Sequence, residues 1–131
     1  MKVYIAEAIG TFALTLVVAL SLAGIFPVPT TVLAGVVLGL FVYSIGHISG
    51  THINPGVTVG LWSIGKIKPL EALYYVIAQF VGAGLTLLVA QNSLVGTATI
   101  TVNGSLAVGC AEALGMFFFT FGIASVVSEQ T

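Results

Sequence analysis

The sequence predicts an all-α membrane protein with four spanning helices and one short helix that does not cross. Lysine and glutamate supply only seven charges in 131 residues, and arginine is absent. Hydrophobic residues make up 58% of the chain, and the mean hydropathy is +1.18. A soluble domain requires a charged surface that this composition does not supply. Four apolar runs also reach the ~20 residues that a helix needs to cross a bilayer.

The four apolar runs define the predicted spanning helices. They cover about residues 3–26, 31–47, 69–90 and 106–127. The first run stops at a Pro-Val-Pro sequence, and Pro69 suits the first turn of the third helix. A polar stretch, 91–105, separates the third run from the fourth.

The distribution of lysines predicts the orientation in the membrane. Lys2 precedes the first helix, Lys66 and Lys68 precede the third, and the loops after these two helices carry no charge. With consecutive crossings, all three lysines lie on one side, which the positive-inside rule places in the cytoplasm. We therefore expect a multi-pass protein of the cell membrane with a cytoplasmic N-terminus.

Between the second and third spans lies an apolar segment, 54–65, that is too short to cross. Ten to fourteen apolar residues are typical of a re-entrant or interfacial element. Asn54 suits the N-cap of a helix and Pro55 suits its first position. The sequence therefore predicts a re-entrant loop followed by a short helix.

The first and fourth runs contain an internal repeat. The sequence AEAIGTFALT begins at Ala6, and AEALGMFFFT begins at Ala111, an offset of 105 residues. Each copy carries a glutamate, Glu7 or Glu112, and a charge inside a membrane helix costs about 2.5–3.5 kcal/mol. Because three crossings separate the copies, the second is inverted, an arrangement typical of transport proteins. We expect one incomplete transmembrane domain, 1–131, with a first repeat over about 1–105 and a second beginning over 106–131.

The stretch SGTHINPGVT, which begins at Ser49, resembles the first signature loop, SGxHxNPAVT, of the aquaporin or major intrinsic protein (MIP) family. The two repeated motifs resemble the family's first and fourth helices. The resemblance implies an aquaporin-like right-handed helical bundle, present here as its first half plus transmembrane helix 4. It also implies a passive channel for water or small neutral solutes such as glycerol, which is no enzyme, requires no cofactor and forms a homotetramer if complete.

The resemblance assigns a pore-lining role to the loop. Backbone carbonyls of Gly50, Thr51 and His52 are expected to replace part of a solute's hydration, while Asn54 donates from its side-chain amide. Irregular backbone at membrane depth is tolerated where it lines a wet cavity or is buried in protein, which agrees with this role. The N-terminus of the short helix carries about half a positive charge, which disfavours cations and protons.

The motif Asn54-Pro55-Gly56 departs from the family pattern at its third residue, where alanine is usual. The missing methyl permits a slightly wider pore beside Gly56. The family's outer constriction uses a side chain twenty residues before the motif asparagine, which here is Ala34. Water-selective members carry a bulky aromatic residue or histidine there, so Ala34 indicates a wider filter and makes glycerol, urea or small uncharged hydroxy acids credible solutes.

The two intramembrane glutamates admit two interpretations. They could relay protons, but the resemblance favours structural buttresses, with Glu7 accepting hydrogen bonds from this loop and Glu112 serving a second loop. His47 and His52 have no cysteine or carboxylate nearby in sequence, so we expect no metal site. A net charge of −1 without a basic cluster argues against nucleic-acid binding.

Alternative functions remain open from the sequence. The chain could be a non-conducting membrane assembly subunit, or a half-channel that needs a second chain. It could also be half of a secondary transporter built from inverted repeats.

Overall fold

The computed structural model describes residues 1–92 and 104–129, and all regular elements in these ranges are helices. They are α1 (Lys2–Leu22), α2 (Thr30–Ser49), α3 (Pro55–Ser63), α4 (Pro69–Asn92) and α5 (Leu106–Glu129). By length and composition, α1, α2, α4 and α5 are each able to cross a membrane. The all-helical class, the four spans and the short helix are thus confirmed. Most of the polar stretch predicted over 91–105 lies outside the described residues.

The end of α1 differs from the prediction, which extended this helix to residue 26. Gly24 has a φ of +79° and ends the helix, because this left-handed conformation favours glycine. Its N–H donates to the Ser21 carbonyl at 3.0 Å, and the Ile25 N–H donates to the Leu20 carbonyl at 3.3 Å. These two bonds form a Schellman cap inside sequence that is apolar on both sides.

Helix α1 packs against both α2 and α4. Gly82 of α4 allows close approach to α1, since a Cβ there would lie 3.0 Å from the Phe12 nitrogen and 3.1 Å from the Ala8 carbonyl carbon. One turn further along α4, the Thr86 hydroxyl donates to the Phe12 carbonyl at 3.0 Å. Small residues at such contacts let helix backbones approach in membranes.

The short helix α3 packs against α4 and α5. It buries Val57, Thr58 and Leu61. Its two glycines, Gly56 and Gly60, face α5. This packing places the N-terminus of α3, and the loop before it, among the longer helices.

Candidate functional site

The loop that joins α2 to α3 has an unusual backbone. Gly50 has a φ of +76°, and two non-glycine residues, Thr51 and Ile53, have φ values of +51° and +37°. Positive φ is uncommon for non-glycine residues, above all for β-branched ones, and such conformations persist where the surroundings hold them. Thr51, His52 and Ile53 are all buried, so the packing around the loop can supply that constraint.

The Glu7 side chain is the largest single constraint on the loop. It is fully buried and accepts four hydrogen bonds. Its Oε1 accepts from the Ser49 hydroxyl at 2.7 Å and from the His52 N–H at 3.0 Å. Its Oε2 accepts from the Ile53 N–H at 2.6 Å and from the Gln79 side-chain amide at 2.9 Å. One carboxylate therefore ties the loop to α1 and α4, with charge-assisted bonds on both oxygens.

A second layer of contacts holds the His52 ring. Its Nδ1 lies 3.1 Å from the Thr58 hydroxyl, which also accepts from the Gln79 amide at 3.0 Å. The His52 and Tyr75 rings have centroids 4.7 Å apart. The Tyr75 hydroxyl donates to the Ser49 carbonyl at 2.8 Å, at the start of the loop. The ring is thus fixed by side chains from α3 and α4.

The polar backbone groups of the loop divide into two sets. The N–H groups have side-chain acceptors: Glu7 for two of them, and the Ser49 hydroxyl, at 3.2 Å, for that of Thr51. The carbonyl oxygens of Gly50, Thr51 and His52 accept no hydrogen bond from residues 1–92 or 104–129. Unpaired carbonyls at membrane depth are costly unless water or a solute pairs with them.

Asn54 caps the short helix. Its Oδ1 accepts from the Gly56 N–H at 2.7 Å, as expected for an asparagine N-cap. This bond identifies the oxygen and so leaves the amide nitrogen pointing away from the helix. The described part of the chain offers no acceptor to that nitrogen. Two amide protons therefore remain available at the N-terminus of α3.

A cavity of about 310 Å³ lies against Asn54. It brings together three residues singled out from the sequence: Ala34, His52 and Asn54. The full lining consists of Leu14, Thr31, Ala34, Gly35, Leu38, His52, Ile53, Asn54 and Phe119. Gly50 and Thr51 directly precede His52 in the sequence but do not line this cavity.

Sequence reasoning missed the other six lining residues, and two of these six are Leu14 and Phe119. They are separated by 105 residues, the offset of the internal repeat, and both lie within the repeated motifs. The two copies therefore contribute equivalent positions to one cavity. The repeat register carried this signal, although it did not show which way either side chain pointed.

The remaining candidate residues lie elsewhere. Pro55 begins α3, and a methyl on Gly56 would meet the Met116 side chain of α5. Glu112 is exposed on α5 and accepts no hydrogen bond within the described ranges. His47 is exposed at the end of α2. Within the residues that the structure describes, no three His, Cys, Asp or Glu side chains are grouped to hold a metal ion.

Four apolar helices of spanning length, together with a loop anchored between them on a buried carboxylate, define a multi-pass membrane protein with a re-entrant element. A model of the Major intrinsic protein family matches residues 1–131. The chain therefore belongs to the Major intrinsic protein family.

Several curated relatives agree with this membership. The chain is 39% identical over 100 residues to "Probable aquaporin AqpM" of Archaeoglobus fulgidus, covering 68% of this chain and 40% of the relative. It is 52% identical over 91 residues to "Aquaporin Z" of Bradyrhizobium diazoefficiens, covering 63% and 38%. It is 41% identical over 106 residues to "Aquaporin-4" of Mus musculus, covering 74% and 33%. The match therefore spans two fifths or less of the length of each of these relatives.

Proposed function

We propose that this chain forms the first half of a passive membrane channel for water and small neutral solutes such as glycerol. The observation that carries the proposal is that the loop and the Asn54 side chain present polar groups without a described hydrogen-bond partner. Carbonyls of Gly50, Thr51 and His52 have no described partner, and the Asn54 amide protons are free next to a cavity. The aquaporin names of the relatives support the same activity.

These groups suit the transfer of a hydroxyl-bearing molecule. The loop carbonyls accept hydrogen bonds from its O–H groups, and the Asn54 amide donates to its oxygen. Together they replace both the hydrogen bonds that the solute donates to water and those that it accepts from water. Their value lies in offsetting desolvation, because each buried polar group left unpaired costs about 1–3 kcal/mol. No covalent bond is made or broken, so the proposed activity is transport and not catalysis.

Charge selection is proposed to arise at the N-terminus of α3. Asn54 caps this end, where the aligned peptide dipoles place about half a positive charge. Among the described residues, no carboxylate lines the cavity to offset it. Such a field disfavours cations and leaves neutral solutes unaffected.

Glu7 is proposed to act as the buttress of this loop. Its two oxygens are occupied by four donors, and it does not line the cavity. A proton relay would need a carboxylate that exchanges protons with a passing solute or a neighbouring acceptor. We propose the equivalent role for Glu112 towards a second loop.

The solute range is proposed to extend beyond water. Ala34 leaves space on one side of the cavity, while Phe119 and Leu14 give it apolar walls. The volume of about 310 Å³ exceeds the ~30 Å³ that one water molecule occupies in the liquid. Polyols such as glycerol can offer hydroxyls to the loop and carbon atoms to those walls.

The proposed setting is the cell membrane, with the N-terminus in the cytoplasm. The lysine distribution supports the orientation. A homotetramer is proposed from the family resemblance, with the lipid bilayer and the solutes as the other partners. Light scattering of the purified protein in detergent tests the tetramer, and a mass of one chain would contradict it.

Osmotic swelling of proteoliposomes, followed by stopped-flow light scattering, tests the activity with water and then with glycerol. We expect permeability above that of protein-free vesicles. Asn54→Ala should lower it about tenfold, since losing a helix cap and a solute hydrogen bond costs about 1–2 kcal/mol. The matched control is Asn92→Ala, which removes an exposed asparagine at the end of α4. Permeability equal to that of empty vesicles, or an equal rate for both variants, would contradict the proposal.

A further inference from the structure

Helices α3 and α5 meet through two matched pairs of residues. Gly56 and Gly60 lie one turn apart on α3, and Met116 and Thr120 lie one turn apart on α5. A Cβ on Gly56 would lie 2.7 Å from the Met116 Cγ, and closer still to its sulfur. A Cβ on Gly60 would lie 3.2 Å from the Thr120 Cβ, and closer still to its methyl. Each α5 side chain therefore occupies the space that a glycine leaves open.

The two pairs differ in stiffness. Thr120 is β-branched and short, so it cannot swing away from Gly60 without moving α5. Met116 has a long flexible side chain that fills irregular gaps. The Gly60–Thr120 contact therefore sets the distance between the helices, and Met116 packs over the first turn of α3.

That first turn holds the Asn54 cap. The Gly56 N–H is the donor that binds the Asn54 Oδ1, at 2.7 Å. The Cβ position on Gly56 that collides with Met116 also lies 3.1 Å from the same Oδ1. Met116 thus packs on the residue that orients the Asn54 side chain.

We propose that Met116 is a positioning residue for Asn54, acting through Gly56. The thioether of α5 takes the place of the alanine methyl that the family motif carries on α3. Gly56 and Met116 are then a matched pair, in which a change at either residue alters the packing over the cap. The proposal rests on the proposed function at one point only, which is the expectation that displacing Asn54 alters transport.

The direct measurement is the position of the Asn54 side-chain amide signals in ¹H–¹⁵N spectra of the full chain. We expect Gly56→Ala and Met116→Ala each to shift these signals. Gly56→Ala should do so by displacing Met116 and through the contact of its own methyl with the Asn54 Oδ1, and Met116→Ala by removing the thioether. The double variant Gly56→Ala/Met116→Ala should return them towards the wild-type positions, because the added methyl then occupies vacated space. Met116→Leu, which keeps most of the volume, should leave them nearly unchanged and keeps the test valid if a truncated variant unfolds.

Two matched controls separate positioning from a general loss of packing. Gly122→Ala adds a methyl on α5 with nothing within 4 Å. Phe118→Ala truncates an α5 side chain that is 67% exposed. Both should leave the Asn54 signals in place. Unchanged Asn54 signals in Gly56→Ala and Met116→Ala, or a double variant no closer to wild type than either single one, would overturn the proposal.

Transport measurements on the same variants distinguish this inference from the proposed function. If the Asn54 signals follow Met116 but Asn54→Ala leaves permeability unchanged, the positioning stands and the channel function fails. If Asn54→Ala lowers permeability while the Asn54 signals ignore Met116, the positioning fails and the channel function stands.

Discussion

Replacing Glu7 by glutamine tests the anchoring of the loop most severely, because it changes one atom and removes a charge. In the wild type, the two backbone donors bind different oxygens: the His52 N–H binds Oε1 and the Ile53 N–H binds Oε2. A glutamine must place its amide nitrogen at one of these two positions. Either orientation therefore sets a donor against a backbone N–H that has no freedom to turn.

The neighbouring side chains cannot compensate fully. The Ser49 hydroxyl can rotate to become an acceptor, and Gln79 can flip, since its Oε1 has no partner within the described residues. A flipped Gln79 would lose its present bond to Thr58. One charge-assisted hydrogen bond is lost in every arrangement, at a cost of about 1.5–3 kcal/mol, and the remaining bonds become weaker. We expect a total loss of about 3 kcal/mol in unfolding free energy.

The assay is equilibrium unfolding in mixed micelles, titrated with SDS and followed by circular dichroism. A companion measurement is hydrogen exchange at the His52 and Ile53 amides, which should accelerate by about two orders of magnitude if local opening costs 3 kcal/mol less. Glu71→Gln is the matched control, because Glu71 is exposed in the first turn of α4 and contributes only the ~0.3–1 kcal/mol typical of a helix terminus. Wild-type unfolding and exchange in Glu7→Gln would refute the reasoning.

Two further pairs of variants test the packing around the loop. Gly82→Ala should destabilise the fold by about 1–3 kcal/mol, because the new methyl meets the α1 backbone. Gly84→Ala adds a methyl with nothing within 4 Å, so it should be neutral or stabilising by up to about 1 kcal/mol. Unfolding in SDS measures both variants. Equal effects at the two glycines would contradict the close α1–α4 approach. Tyr75→Phe should cost about 1 kcal/mol by removing the bond to the Ser49 carbonyl, while Tyr74→Phe, at a ring 46% exposed, should cost less than about 0.5 kcal/mol in thermal unfolding. A Tyr75 variant as stable as the Tyr74 variant would show that this bond is not needed.

Local signals in the sequence predicted the elements well. Runs of apolar residues located the four spans, and the Asn54-Pro55 pair located the start of the short helix at the correct residue. The single charge at Glu7 within an apolar run marked a residue with a special role, and the structure places it under the loop. The end of α1 was wrong because Gly24 interrupts the helix within sequence that remains apolar.

Contacts between distant residues were not predictable from one sequence. Gln79 lies 72 residues from Glu7 and 21 from Thr58, and no spacing rule connects them. The fit of Thr120 against Gly60 likewise depends on how α5 lies across α3. Both contacts depend on how helices that are distant in the sequence pack against one another.

Contact between water and the loop tests the central claim most directly. Solid-state NMR of the chain in bilayers can transfer polarisation from mobile water to nearby protein atoms and compare the rates along the chain. We predict rapid transfer to the Gly50, Thr51 and His52 carbonyl carbons and to the Asn54 amide, despite their position between membrane-spanning helices. Slow transfer at these atoms, equal to that of the buried Val57 on α3, would show a dry loop and would contradict the account.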